Sequence, residues 1–176
     1  RNALAYLLQN LHHAGYKHIV MPDYNCNIVA DVIAESNIKS SLYRISNNFN
    51  IDSCYEIPQD ADIFLFVNYF GYTSDIPIEL SNKIKSKKMF VIADNAHSYS
   101  KHEYDKKNNT FIDASFTSLS KSLPVPYGSI LYIRSNEIIS KKLIINIASY
   151  EIIKRLYLWL VYFVKKIFFM ASRKKK

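Results

Sequence analysis

Cysteine and glycine are scarce in this chain, with two and three residues among 176. Two cysteines cannot staple a domain of this length, which excludes a disulfide scaffold and fits a reducing compartment, so the expected location is cytoplasmic. Three glycines exclude collagen-like and glycine-rich repeat designs. No apolar run reaches the ~20 residues that a bilayer-spanning helix needs. The block Leu156 to Val164 stops after nine residues at Lys165-Lys166. The opening RNALAYLLQN has no cationic stretch ahead of an apolar core, so no secretory signal is expected. The chain starts on Arg1 rather than Met and is expected to be cut from a longer one.

Acidic residues are missing after Glu151, and this decides how the net charge of +8 is read. Eight of the 23 basic residues fall within 154–176, which leaves fifteen against fifteen acidic residues in 1–153. The body is neutral and one segment carries the excess. A nucleic-acid-binding domain spreads its Lys and Arg over a face of the fold, so a nucleic-acid partner is not expected. His12, His13 and His102 have no Cys or carboxylate at ligand spacing, and no metal site is expected. Hydrophobic residues make up 49% of the chain, which excludes a disordered polypeptide. The length suits one domain or most of one.

Hydrophobic spacing then gives the elements. Leu4, Leu7, Leu8 and Leu11 share one face of a helix over Asn2 to His13, ended by Gly15. His18 to Met21 reads as a short buried strand. Ile28, Val29, Val32 and Ile33 mark a helix over Asn27 to Ser36, and Leu42 to Ile45 a strand. Asp62 to Val67, Met89 to Ala93, Phe111 to Thr117 and Ser129 to Arg134 are short apolar runs, as in strands buried on both faces. Helices are expected over Ile76 to Lys87 and Asn136 to Asn146. Buried strands alternating with helices predict a three-layer α/β/α fold with a mainly parallel sheet. Such sheets bind ligands at the carboxyl ends of their strands. That rule selects Asn68-Tyr69-Phe70-Gly71, Asp94-Asn95-Ala96-His97-Ser98 and Ser118-Leu119-Ser120-Lys121.

Two residues in those stretches carry chemistry. Asp94 ends an apolar strand, where a carboxylate is expensive to bury unless it faces a cation; capping the next turn is the plainer role. A desolvated lysine at the position of Lys121 can act as an amine toward a carbonyl; a solvated lysine is the plainer reading. Together they match pyridoxal phosphate (PLP), which needs a lysine for its aldehyde and an Asp opposite its pyridine nitrogen.

The chain resembles the large domain of the DegT/DnrJ/EryC1/StrS family of PLP-dependent aminotransferases, of the aspartate aminotransferase fold type. The matching stretches are Arg1-Asn2-Ala3-Leu4, Met21 to Cys26 (MPDYNC), Val67 to Tyr72 (VNYFGY), Val91 to Ser98 (VIADNAHS) and Phe116 to Gly128 (FTSLSKSLPVPYG). They run in the family's order over residues 1 to about 134. The resemblance implies that Lys121 holds the cofactor as a Schiff base and shuttles protons, and that Asp94 pairs with the pyridinium. His97 stands where many members have Gln beside the cofactor's 3′-oxygen. Ser118 matches a phosphate-binding hydroxyl, with Ser120 and Thr117 as alternatives. Asn68 or Tyr69 would approach the ring, and Tyr24 would lie near cofactor or substrate.

It further implies amino transfer from an amino acid, glutamate by expectation, to a keto-sugar nucleotide in polysaccharide or glycoconjugate biosynthesis, and a homodimer. Related dehydratases replace the lysine with His, and Lys121 argues against that activity. The family's Gly-Thr or Gly-Ser turn before the first helix and its small C-terminal domain have no counterpart here. Gly128-Ser129 stands where many relatives have Gly-Gly. The expected organisation is a partial PLP-binding domain at 1–149 and a basic aromatic segment at 150–176. That segment suits packing on an absent domain or partner subunit, or contact with an anionic membrane surface. The alternative to an enzyme is a catalytically silent remnant acting through it.

Overall fold

In the computed structural model the chain divides into two compact units, Arg1–Ser140 and Lys141–Lys176. The structure describes residues 1–52, 54–72, 76–100, 110–125, 127–134 and 157–163. The helix expected over Asn136 to Asn146 lies outside them.

The first unit opens with α1 (Asn2–His13), whose Leu4, Leu7, Leu8 and Leu11 are all buried. Gly15, at φ +97°, takes the left-handed turn that ends it, and the Tyr16 N–H closes back onto the Leu11 carbonyl. β1 (His18–Pro22), α2 (Asn27–Glu35) and β2 (Lys39–Tyr43) follow. Next come β3 (Ile63–Val67), a single 3₁₀ turn at Tyr69–Gly71, α3 (Ile78–Ser86) and β4 (Phe90–Asp94). β5 (Ala114–Ser118), the short α4 (Leu119–Ser122) and β6 (Ser129–Ile133) complete the unit's described elements.

The strands form one sheet in the order β2-β1-β3-β4-β5-β6. The first five are parallel, and β6 runs antiparallel to β5. Alternation along each strand splits the core in two. Ile19, Ile63, Leu65, Phe90 and Ile92 pack with the leucines of α1 and with Val29, Val32 and Ile33 of α2. Val20, Phe64, Phe66, Val91 and Ala93 pack on the other face with Leu80 and Ile84 of α3. Helices therefore cover both faces, the three-layer arrangement expected from the apolar runs. At ~1.5–3 kcal/mol for each fully buried large aliphatic or aromatic side chain, these two layers dominate the favourable side of folding.

Most element ends shift by one or two residues from expectation, as at α3 (Ile78–Ser86) and β4 (Phe90–Asp94), and three strands differ in ways that matter. β2 begins at Lys39, because an edge strand tolerates the exposed Lys39 and Ser40 that hid its start. It ends at Tyr43, while Ile45 makes a separate bridge to Ile51. β5 begins at Ala114 rather than Phe111. β6 is an antiparallel edge strand with none of its residues fully buried, not a fourth strand covered on both faces.

Candidate active site

The chain leaves β1 to build β2 on one side, then returns to place β3 on the other. A crevice opens at such a reversal, outside the carboxyl ends of the strands. The loop Asp23–Cys26 follows β1 there, Asn68 follows β3, Asp94 ends β4, and Ser118 ends β5 with Lys121 one turn beyond.

Asp94 is buried, and its Oδ1 accepts the Ala96 N–H at 2.8 Å. The turn-capping role is thus filled, and the burial comes with it. Loss of water pushes the carboxyl pKa up to about 6, against the opposing pull of the Ala96 N–H and the Lys121 ammonium. Asp94 therefore feels positive charge from Lys121 on α4. α1 has no side-chain cap at its first residue.

Lys121 is exposed on α4 rather than desolvated, and its Nζ lies 3.0 Å from Nε2 of His97. Burial, with the lysine charge beside it, holds the His97 imidazole below its ordinary value of 6.5. A neutral ring at pH 7 accepts a proton of the Lys121 ammonium on Nε2 and carries its own proton on Nδ1. Phe70 meets the His97 ring edge-on at 6.1 Å. This phenylalanine sits at φ +53°, a strained position for a residue with a Cβ. Gly71 follows at φ +85°, a backbone position that strains any residue with a Cβ, although a Cβ there would only touch Ser98 at 3.4 Å.

The remaining candidates divide into two groups. Ser118 is half-buried, with its Oγ 3.1 Å from that of Ser120, so two hydroxyls stand together on the turn that carries Lys121. Tyr24 is exposed, and its ring lies 5.6 Å from that of Tyr69 and 5.9 Å from that of Phe49. Its carbonyl accepts the Tyr69 hydroxyl at 2.6 Å. Asn68 and Thr117 face inward. Asn68 is fully buried and donates to Asn95 Oδ1, and the Thr117 hydroxyl donates to the Asn95 carbonyl at 2.8 Å. That commitment removes Thr117 as an alternative phosphate hydroxyl. Asn95 is the residue that sequence reasoning passed over. It ties the ends of β3, β4 and β5 together, a role that a lone Asn in a sequence does not announce.

Among the described residues no group of His, Cys, Asp and Glu could hold a metal ion, and no helix is long and apolar enough to cross a membrane.

No protein-family model matches the chain, and no curated protein does. Solved structures do. PseC of Helicobacter pylori, an aminotransferase involved in the biosynthesis of pseudoaminic acid, is 18% identical at a TM-score of 0.60; the match covers 81% of this chain and 44% of PseC. NtdA of Bacillus subtilis, solved with bound cofactor PMP, is 16% identical at a TM-score of 0.61 over 77% of this chain and 32% of its own. A DegT DnrJ EryC1 StrS aminotransferase from Brucella abortus is 14% identical at a TM-score of 0.56, over 77% and 41%. The chain has the α/β fold of the fold type I PLP-dependent aminotransferases. Its structural neighbours include the family that its motifs resemble. It spans less than half the length of each of these three structures.

Proposed function

We propose that this chain is the cofactor-binding part of a PLP-dependent aminotransferase that transfers an amino group from an amino acid, glutamate in the first instance, to a keto-sugar nucleotide. The observation that carries the reading is the joint placement of Asp94 and Lys121. One is a buried carboxylate with a raised pKa, the other an amine whose charge reaches it, and both sit at the carboxyl ends of adjacent strands. The donor set fits PLP. A buried carboxylate without water favours a protonated ring nitrogen facing it, an exposed lysine can hold an aldehyde, and the Ser118–Ser120 hydroxyls suit a phosphate. Bound there, PLP supplies an electron-accepting ring that stabilises a carbanion.

The chain's own residues supply the rest. Asp94 keeps the ring nitrogen protonated. His97, neutral at pH 7, accepts a hydrogen bond from Lys121 and orients its Nζ. Lys121 then moves a proton on and off the substrate carbon as general acid and base. Tyr24 borders the same crevice, and Asn68 supports its floor by holding Asn95. The reading extends to a homodimer in the cytoplasm, in keeping with two exposed free cysteines, Cys26 and Cys54. It places the PLP-binding region at 1–149, with 150–176 as a separate segment.

The test is to add PLP to the purified chain, reduce with borohydride and map the modified lysine by mass spectrometry. Label on Lys121, absent from Lys121→Ala and weakened in Asp94→Ala, is expected. Label scattered over the lysines of 154–176 sinks the reading and favours a silent chain acting through that segment.

A further inference from the structure

Asn95 stands between Asp94 and His97, the two residues that the proposed site takes from the turn after β4. It is fully buried. A buried side-chain amide is costly unless its hydrogen bonds are made, so its bonds show what it holds. On the β5 side, the Asn95 N–H donates to the Phe116 carbonyl at 2.8 Å, and the Thr117 hydroxyl donates to the Asn95 carbonyl at 2.8 Å. The same carbonyl accepts the Ser98 N–H at 2.9 Å, which closes the turn that carries His97. On the β3 side, Asn95 Oδ1 accepts the amide of Asn68, itself fully buried. The Asn68 N–H donates in turn to the Asp94 carbonyl at 3.0 Å.

The turn Asp94–Ser98 is therefore gripped from both neighbouring strands. Phe116 and Thr117 lie just ahead of α4, so their bonds to Asn95 join the His97 turn to the root of the Lys121 turn. Asn68 opens the 3₁₀ turn at Tyr69–Gly71, whose Phe70 meets the His97 ring edge-on. We infer that Asn95 is a positioning residue that fixes where His97 stands relative to Lys121 and Asp94. The inference rests on the aminotransferase reading for its purpose. The lysine must address the cofactor's aldehyde while the carboxylate addresses its ring nitrogen, so their spacing has to be held. The contact at stake is the 3.0 Å approach of Lys121 Nζ to His97 Nε2, and a displacement of ~1 Å ends such a hydrogen bond. An apolar side chain at 95 can be equally buried, but it offers Asn68 no acceptor.

The test reads the cofactor-free chain. The titration of His97 is followed by NMR of the imidazole nitrogens, and His97→Gln assigns its signals among the five histidines. Burial, with the Lys121 charge beside it, holds this ring below 6.5. Asn95→Ala is expected to move the titration up toward 6.5, as the turn loosens and ring and amine part. PLP retention, read by borohydride trapping, is expected to fall about tenfold, the scale of one lost buried hydrogen bond. Tyr43→Phe is the control for lost stability alone. It also removes a buried hydrogen bond, but from the edge strand β2, and is expected to leave the His97 titration in place. Thr117→Val removes only the hydroxyl that holds the Asn95 carbonyl, and it carries the same test where Asn95→Ala does not fold. A His97 titration unmoved in the folded variant, or moved equally by Tyr43→Phe, overturns the proposal. Absence of PLP label on Lys121 in the unsubstituted chain overturns the aminotransferase reading instead, and the His97 titration still decides whether Asn95 sets the turn.

Discussion

Lys121 Nζ and His97 Nε2 stand 3.0 Å apart, joining a turn after β5 to a turn after β4. The contact gives His97 a task beyond lining the crevice, because it fixes where the amine points. Replacing His97 with Ala is expected to lower PLP retention about tenfold, the scale of one hydrogen bond to a charged group. Gln, which keeps an acceptor at a similar reach, is expected to restore part of it. The absorbance of bound PLP and borohydride trapping measure both. Retention in the unsubstituted chain is expected to fall as pH drops below the depressed His97 pKa, since a protonated ring repels Lys121. His97→Gln removes that limb of the profile.

Burial of Asp94 makes the site a liability for stability. Its folded pKa of about 6 lies above the ordinary 3.8, so between those values the folded chain binds more protons than the unfolded one. Stability then falls as pH rises through this window, and the penalty is complete above about pH 6, at roughly 3 kcal/mol. Asp94→Asn is expected to stabilise the cofactor-free chain at pH 7 by up to that amount and to flatten its pH dependence from 4 to 6. PLP retention falls in the same variant. Urea unfolding at several pH values checks it, and an Asp94→Asn chain no more stable than the original refutes the burial argument.

Gly128 holds the far side of α4. It sits at φ +135°, its carbonyl accepts the Leu119 N–H at 2.9 Å, and an added Cβ would come within 3.1 Å of Leu119 Cδ1. Gly128→Ala is expected to destabilise the chain by ~1–2 kcal/mol through backbone strain. It also pushes on the turn that carries Lys121, so PLP retention weakens alongside. Thermal unfolding and borohydride trapping separate the two effects.

Tyr43 anchors the edge strand β2 by stacking on Phe64 at 5.3 Å and donating its hydroxyl to the Leu65 carbonyl at 3.0 Å, all out of water. Tyr43→Phe keeps the stack and removes the donor. The expected loss is ~1–2 kcal/mol, read as a lower urea midpoint with an unchanged slope.

The apolar runs at Asp62 to Val67 and Met89 to Ala93 announced buried strands because both faces of a parallel sheet are covered, and Asp94 stood out as a charge ending such a run. β2 was legible only from Leu42 onward, since an edge strand does not require apolar residues at Lys39 and Ser40. The reversed direction of β6 left no mark, because SILYI reads the same whichever way the strand runs. Contacts hid in the same way. The spacing of His97 and Lys121 says nothing of their meeting, which depends on β4 and β5 being neighbours. Thr117 and Ser118 are adjacent hydroxyls in the sequence, and only the pleat shows that one faces the core and the other the crevice.

Strand order also sets a timetable for folding. Ile19 pairs with Ser40 in β2 and with Ile63 in β3, so one edge of β1 is satisfied by a near neighbour and the other waits for a much longer stretch of chain to return. Closing the longer loop sacrifices more chain entropy before any contact repays it. The β1–α2–β2 unit therefore assembles early, and the crevice, which exists only once β3 has come back beside β1, is among the last features of the molecule to form.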